Sequence, residues 1–224
     1  MHLKRQKVPK NWPIERKGTA YIVRPNANMS NGMPILIILR DMLKLAQNRK
    51  EVKRIIHSKN LLLNGSLVKD EKNSVSLFDA LTIVPSNENY RLSLSEKGKF
   101  QIKKINAGEE IHKIAKIVNK KVLKGKKVQL NLSDGRNFLS DIKCNVNDSV
   151  LIDLKKKKIE KCLPLKEKGD VLVFAGKHAG KKASINKIDP VRKMVELTFG
   201  DKKINVLIKQ LIVTEKWKSR FSIN

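Results

Sequence analysis

Acidic residues are scarce: 21 Asp and Glu stand against 49 Lys and Arg, a formal net charge of +28 over 224 residues. Such an excess repels itself in a compact fold and is tolerable where a polyanion neutralises it. Nucleic acid is the expected partner, because each neutralised phosphate releases condensed counterions and that release drives binding. Aromatic residues make up only 4%, too few for a platform that stacks single-stranded bases one by one. Recognition is therefore expected through phosphates, 2′-hydroxyls and minor-groove surfaces of folded RNA. Long apolar runs are also missing. The longest, Ile35 to Leu39, is far too short to span a bilayer, and neither an amphipathic anchor nor a lipidation signal accompanies it. No membrane partner is expected, and the basic start Met1–Lys10 has no apolar stretch behind it to make a secretory leader.

Cysteine is equally sparse. Cys144 and Cys162 stand 18 apart with no CxxC spacing, which reads as free thiols in a reducing cytosol. His2, His57, His112 and His178 are scattered singly, so no metal is expected. No Ser/His/Asp or Cys/His constellation and no nucleotide-binding signature converges, which leaves no cofactor and no small-molecule substrate to propose.

What is present divides the chain by texture. Residues 1–33 carry Lys4, Arg5, Lys7, Lys10, Arg16, Lys17 and Arg24 with three prolines and little apolar periodicity, which predicts an extended basic arm. Its lone Trp12 is either a wedge against a base or sugar or a packing anchor. From Pro34 the run PILIILRDMLKLA predicts a helix with proline in its first turn. Asn48, answered by Glu51 three residues on, predicts a capping box for a second helix. That helix sets Val52, Ile55 and Ile56 on one side and Lys50, Lys53, Arg54 and His57 largely on the other. Asn64-Gly65 between apolar runs predicts a two-residue hairpin turn, both positions needing positive φ.

Residues 89–166 read as a β-rich domain, with strands at Tyr90–Ser95, Phe100–Ile105, Val128–Leu132, Phe138–Lys143 and Val150–Leu154 and a helix at Glu109–Val118. Lys155–Lys158 reads as a solvated turn. Residues 167–213 repeat short alternating runs with a turn at Gly200-Asp201 and predict a small barrel. A basic tail, 214–224, follows.

The stretch VLVFAGKHAGKKASI, Val171 to Ile185, breaks a strand pattern with a bare, cationic loop. Glycine lets backbone amides turn outward and approach phosphate closely, and Lys177, Lys181 and Lys182 add charge. An ordinary hairpin is the competing reading. The spacing of Val171, Val173, Gly176, Gly180, Lys181, Ile185 and Ile188 resembles the KOW motif of RNA-associated barrels, with Ala183 where that motif has its most characteristic glycine.

The 34–88 segment resembles the RNA-binding module named after bacterial ribosomal protein S four, on LRDMLKLA, NRKEVKRII, LLLNGSLVKD and LFDALTI. Two further stretches, HLKR near the start with PK and WPI after it, and KGKKVQLNLSDGRN in the middle, are similar to the archaeal and eukaryotic small-subunit ribosomal protein family "S four, e-type". The order of modules matches that family over essentially the full length, and the length fits its archaeal form.

The resemblance implies an α+β, multi-module fold: an extended basic arm (1–33), a helix-helix-hairpin RNA-binding module (34–88), a central β-rich domain (89–166), an SH3-like KOW barrel (167–213) and a basic tail. It implies RNA contacts at Arg40, Lys44, Arg49, Lys50, Lys53, Arg54 and Lys59, at Arg136, and at Gly176, Lys177, His178, Gly180, Lys181 and Lys182. To these it adds the basic arm residues with Trp12. The implied role is non-catalytic: a ribosome-bound cytoplasmic protein that binds and packs small-subunit ribosomal RNA beside neighbouring ribosomal proteins.

Two other classes stay open at this point. RNA-modifying enzymes also carry modules like residues 34–88, but Gly135-Arg136-Asn137 lacks the carboxylate that a pseudouridine synthase places in its Gly-Arg-Leu-Asp segment. A KOW-containing transcription factor would need a different N-terminal domain.

Overall fold

The computed structural model describes residues 2–27, 29–140, 142–200 and 202–214. The expected tail, from residue 215 on, and Asp201 of the expected turn lie outside them. The chain forms two compact units, one of residues 1–95 and 99–111 and one of residues 96–98 and 112–224.

In the first unit, β1 (Leu3–Lys4) pairs antiparallel with β2 (Tyr21–Ile22). The N-terminal segment is thus folded rather than extended. Its anchor is Trp12, 3% exposed, whose ring N–H donates to the Gly32 carbonyl at 3.2 Å. Arg5 holds the return of the chain, donating from Nε to the Thr19 carbonyl at 2.7 Å and from Nη1 to the Glu15 carbonyl at 2.6 Å. Gly18 makes room for it: at φ +131° a Cβ there would lie 2.9 Å from Arg5 Nη2.

β3 (Gly32–Pro34) leads into α1 (Ile35–Ile37), which widens into a π turn at Ile38–Met42, closed by Leu43 N–H on the Ile38 carbonyl. The helix is shorter than the apolar run predicts. Ile35 to Leu39 are buried on every side, as a helix apolar all round must be, and Lys44 at φ +55° ends it. α2 (Arg49–His57) begins as expected: Asn48 Oδ1 accepts the Glu51 N–H at 3.0 Å while its amide donates to Glu51 Oε1 at 2.7 Å.

β4 (Leu61–Leu63) and β5 (Ser66–Leu67) meet at Asn64 (φ 52°) and Gly65 (φ 75°), the predicted hairpin turn. β6 (Ser74–Ser76) pairs with β3. β7 (Ala80–Ile83), β8 (Glu88–Leu94) and β9 (Phe100–Ile105) complete a sheet of order β5-β4-β7-β8-β9. The division expected between residues 88 and 89 therefore runs through this sheet.

The second unit holds two five-stranded antiparallel sheets. β10 (His112–Val122) occupies most of the segment read as a helix; only Glu109–Ile111 makes a 3-10 turn. The apolar spacing there is helical, but a central strand buried on both faces carries the same composition. β10 pairs on one side with β11 (Val128–Leu132) and on the other with β13 (Ser149–Asp153), partners that local periodicity cannot reveal. β12 (Asn137–Leu139) is shorter than the Phe138–Lys143 strand expected, and β14 (Lys158–Leu163) was not anticipated beyond the Lys155–Lys158 turn. The sheet order is β12-β11-β10-β13-β14, over a core of Ala115, Ile117, Leu130, Leu132, Cys144, Val150, Ile152 and Leu154.

The last sheet comprises β15 (Asp170–Val173), β16 (Lys182–Asp189), β17 (Met194–Phe199), β18 (Lys202–Leu207) and β19 (Leu211–Val213), in the order β18-β17-β16-β15-β19. The two sheets are joined by Lys116, whose buried ammonium donates to the carbonyls of Leu211, at 3.0 Å, and Ile208, and by Ser149 Oγ, which accepts the Val213 N–H at 2.9 Å.

Candidate nucleic-acid interface

In the first unit the exposed side of α2 presents Arg49, Lys50, Lys53, Arg54 and His57, with Lys59 just beyond at φ +57°. Their charges are not equivalent. Glu71, 3% exposed, lies beneath the helix; Arg49 Nε donates to its Oε1 at 2.8 Å and Lys53 Nζ stands 3.8 Å from its Oε2. One buried carboxylate thus aims two cations while cancelling part of their charge. Lys50 and Arg54 make no such pair with any described residue. Arg40 is partly spent on its neighbour, donating to Asp41 Oδ1 at 3.1 Å and Oδ2 at 2.9 Å. Lys44 is exposed.

A cleft of about 820 Å³ opens beside these residues, lined by His2, Tyr21, Arg24, Arg40, Arg49 and Lys72 among others. Three of its cations are ones the sequence nominated; the fold brings them together from the N-terminal segment, the π turn and α2. Lys72 was missed, and its setting in a charged loop gives no local signal. Also missed was the pair of rings on the cleft wall: His2 and Tyr21, with centroids 5.3 Å apart and Tyr21 56% exposed. Lys4, Lys7, Lys10, Arg16 and Lys17 remain at the surface. Two arm residues have another use: Arg5 spends its donors on the chain's own carbonyls, and Trp12 is the packing anchor rather than a wedge for a base.

In the second unit the loop between β15 and β16 is built on two glycines at φ 88°, Gly176 and Gly180. Gly180 N–H donates to the Val173 carbonyl at 2.7 Å and Val173 N–H to the Lys181 carbonyl at 3.0 Å, so the loop is closed from within. A Cβ on Gly176 would meet the Gln210 amide at 2.8 Å. The backbone N–H groups of Gly176, Lys177 and His178 donate to no other described residue. Lys177 is exposed, and Lys181 Nζ sits 5.8 Å from the centre of the Phe199 ring. Three successive amides and flanking ammonium groups suit an anionic oxygen. Ala183 lies within β16 opposite Val171, buried and without positive φ. Alanine serves there without backbone strain.

Arg136 stands 3.8 Å from Asp134, which also takes a 2.7 Å bond from the buried Lys113 ammonium. Burial alone would raise the Asp134 pKa; the Lys113 charge and hydrogen bond, with the Arg136 N–H, hold it below the ordinary carboxylate value.

Comparison with known proteins yields a consistent set. The model of "Ribosomal family S4e" matches residues 86–159, and that of the "RS4NT (NUC023) domain" matches residues 1–27. The chain is 36% identical over 194 residues to the small ribosomal subunit protein eS4 of Methanocella arvoryzae, covering 85% of this chain and 82% of that one. It is 37% identical over 191 residues to the protein of the same name from Nanoarchaeum equitans, covering 84% and 82%. The fold is like that of the crystal structure of 30S ribosomal protein S4e from Thermoplasma acidophilum, with a TM-score of 0.72, 24% identity and coverage of 84% of this chain and 97% of that one.

Proposed function

This chain belongs to the S4e family of small-subunit ribosomal proteins, and from that membership we propose how its surfaces serve the subunit. It is a structural component of the small ribosomal subunit that binds and packs folded ribosomal RNA. The observation that carries the reading is similarity over most of the chain and of its relatives, joined to a charge of +28.

The α2 face and its cleft take phosphates of structured RNA, the S-four-like role the sequence implied. The sheet of residues 170–213 with its glycine-lysine loop acts as the KOW element, its free amides and Lys177, Lys181 and Lys182 holding a backbone phosphate. The N-terminal segment, folded onto Trp12, lends Arg24 to the α2 cleft and presents Lys4, Lys7, Lys10, Arg16 and Lys17 as a second basic surface. Neighbouring ribosomal proteins share the site, the setting is the cytoplasmic ribosome, and no chemical step is assigned to the chain.

The test is sedimentation. A tagged copy should travel with the small subunit through a sucrose gradient and leave it at high salt. Recovery only with RNA polymerase would overturn the reading.

A further inference from the structure

β10 carries a bulge at Val118: Ile117 pairs with Leu132, but the next partners are Asn119 and Asn131. An extra residue on one strand reverses which face its successors occupy. Without the bulge Asn119 would share the core-facing side of Ile117. With it, Lys120 takes that side, its ammonium donating to the Cys144 carbonyl at 3.1 Å, and Asn119 turns outward. Asn131 in turn pairs with Asn137 on β12. Three asparagines therefore stand in one row across three strands on the outer face of the sheet. Lys121, Gln129 and Leu139 form the next row, and Gln129 Nε2 donates to Asn131 Oδ1 at 2.9 Å. Asn119 and Asn137 are exposed, and the Asn137 amide bonds to no other described residue.

We propose that this asparagine row is a recognition surface for the minor groove of an A-form RNA helix. The proposal rests on the ribosomal reading above and names what one surface reads. The Asn119 oxygen already accepts the Lys120 N–H at 2.8 Å and the Asn131 oxygen the Gln129 amide. These two side chains therefore offer chiefly their NH2 donors, while Asn137 offers donor and acceptor; the 2′-hydroxyl they would meet is both. Neighbouring strands lie about 4.8 Å apart, which spreads the three amides over roughly 10 Å of a nearly flat face. The A-form minor groove is wide and shallow and lines its floor and rim with 2′-hydroxyls and base edges. Charge complementarity points to RNA rather than a protein neighbour: Lys121 lies in the adjoining row, and Lys124 and Lys127 are exposed in the β10–β11 turn. The phosphate-holding cations elsewhere on the chain supply affinity; this row supplies discrimination between RNA and DNA.

The test uses the full chain with Asn119→Ala, Asn131→Ala and Asn137→Ala together. Its probes are a mixed-sequence RNA duplex of about 16 base pairs and the DNA duplex of the same sequence. Circular dichroism confirms the fold; a triple Asn→Val version, whose β-branched side chains favour strands, replaces it if alanine impairs folding. The unsubstituted protein should prefer RNA, and the variant should lose about tenfold of that preference, the equivalent of one or two ordinary hydrogen bonds. Its log K against log salt slope should be unchanged. An undiminished RNA preference in a folded variant overturns the proposal. So does a variant that binds both duplexes normally yet fails to remain in the small subunit, which would give the face to a protein neighbour. Failure of the unsubstituted protein to bind either duplex or to enter the subunit would instead sink the ribosomal reading itself.

Discussion

Single residues decide how the basic surfaces are shaped. Gly176 combines φ 88° with an approach to the tip of the Gln210 side chain, which a methyl group would push aside. Gly176→Ala should destabilise the protein by about 1–3 kcal/mol, chiefly from the left-handed backbone, since the Gln210 side chain can swing away. Chemical denaturation checks this, and adding Gln210→Ala should recover little of the loss. Lys116 makes a second case. Burial pushes its ammonium from 10.5 down to about 8, with only backbone carbonyls to receive it. Between those values the unfolded chain binds the extra proton and the folded one does not, so stability rises with pH across that window. The rise attributable to this group is about 3 kcal/mol. Urea unfolding at pH 7.5 and pH 10.5, compared with a Lys116→Met variant that lacks the titration, isolates it.

At the level of elements, α2 is a helix whose charged side does two jobs. Arg49 and Lys53 hold Glu71, so reversing them would set new carboxylates against a buried one and harm the fold. Lys50 and Arg54 have no such duty. Lys50→Glu with Arg54→Glu should weaken binding to a ribosomal RNA fragment by tenfold or more, each change removing roughly one phosphate contact, with circular dichroism unaltered. Unchanged affinity would leave that side of α2 merely solvated. Asn48→Ala should cost about 1 kcal/mol through the lost cap, measured by thermal unfolding. Such elements were legible because their signals are local: Asn48 with Glu51, the Asn64-Gly65 turn, the alternation of Phe100–Ile105 and Val128–Leu132. The misread segment, Glu109–Val118, failed because its state depends on β11 and β13, strands distant in sequence. Composition marked the N-terminal segment as open, yet the buried Trp12, the Arg5 hydrogen bonds and the β1–β2 pairing seat it. Within the candidate interface the individual cations were readable, while their meeting in a cleft with Lys72, His2 and Tyr21 depends on tertiary structure alone.

Both units carry exposed cations, so the positive charge of +28 is not the property of one of them. Binding to ribosomal RNA should accordingly fall steeply with salt, with a slope reflecting roughly five or more phosphates. A filter-binding series from low to moderate salt measures it, and a flat response would point to apolar or protein contacts. Synthesis has an order of its own here. β19, the last described strand, pairs with β15 and supplies one of the two carbonyls that receive Lys116; the other, Ile208, is made just before it. Until the ribosome has translated that far, β15 is paired on the β16 side alone and the Lys116 amine has no acceptor from this sheet. The nascent chain can thus close this sheet only after Val213 has emerged, which makes residues 208–213 the latch on a strand laid down about a hundred codons earlier.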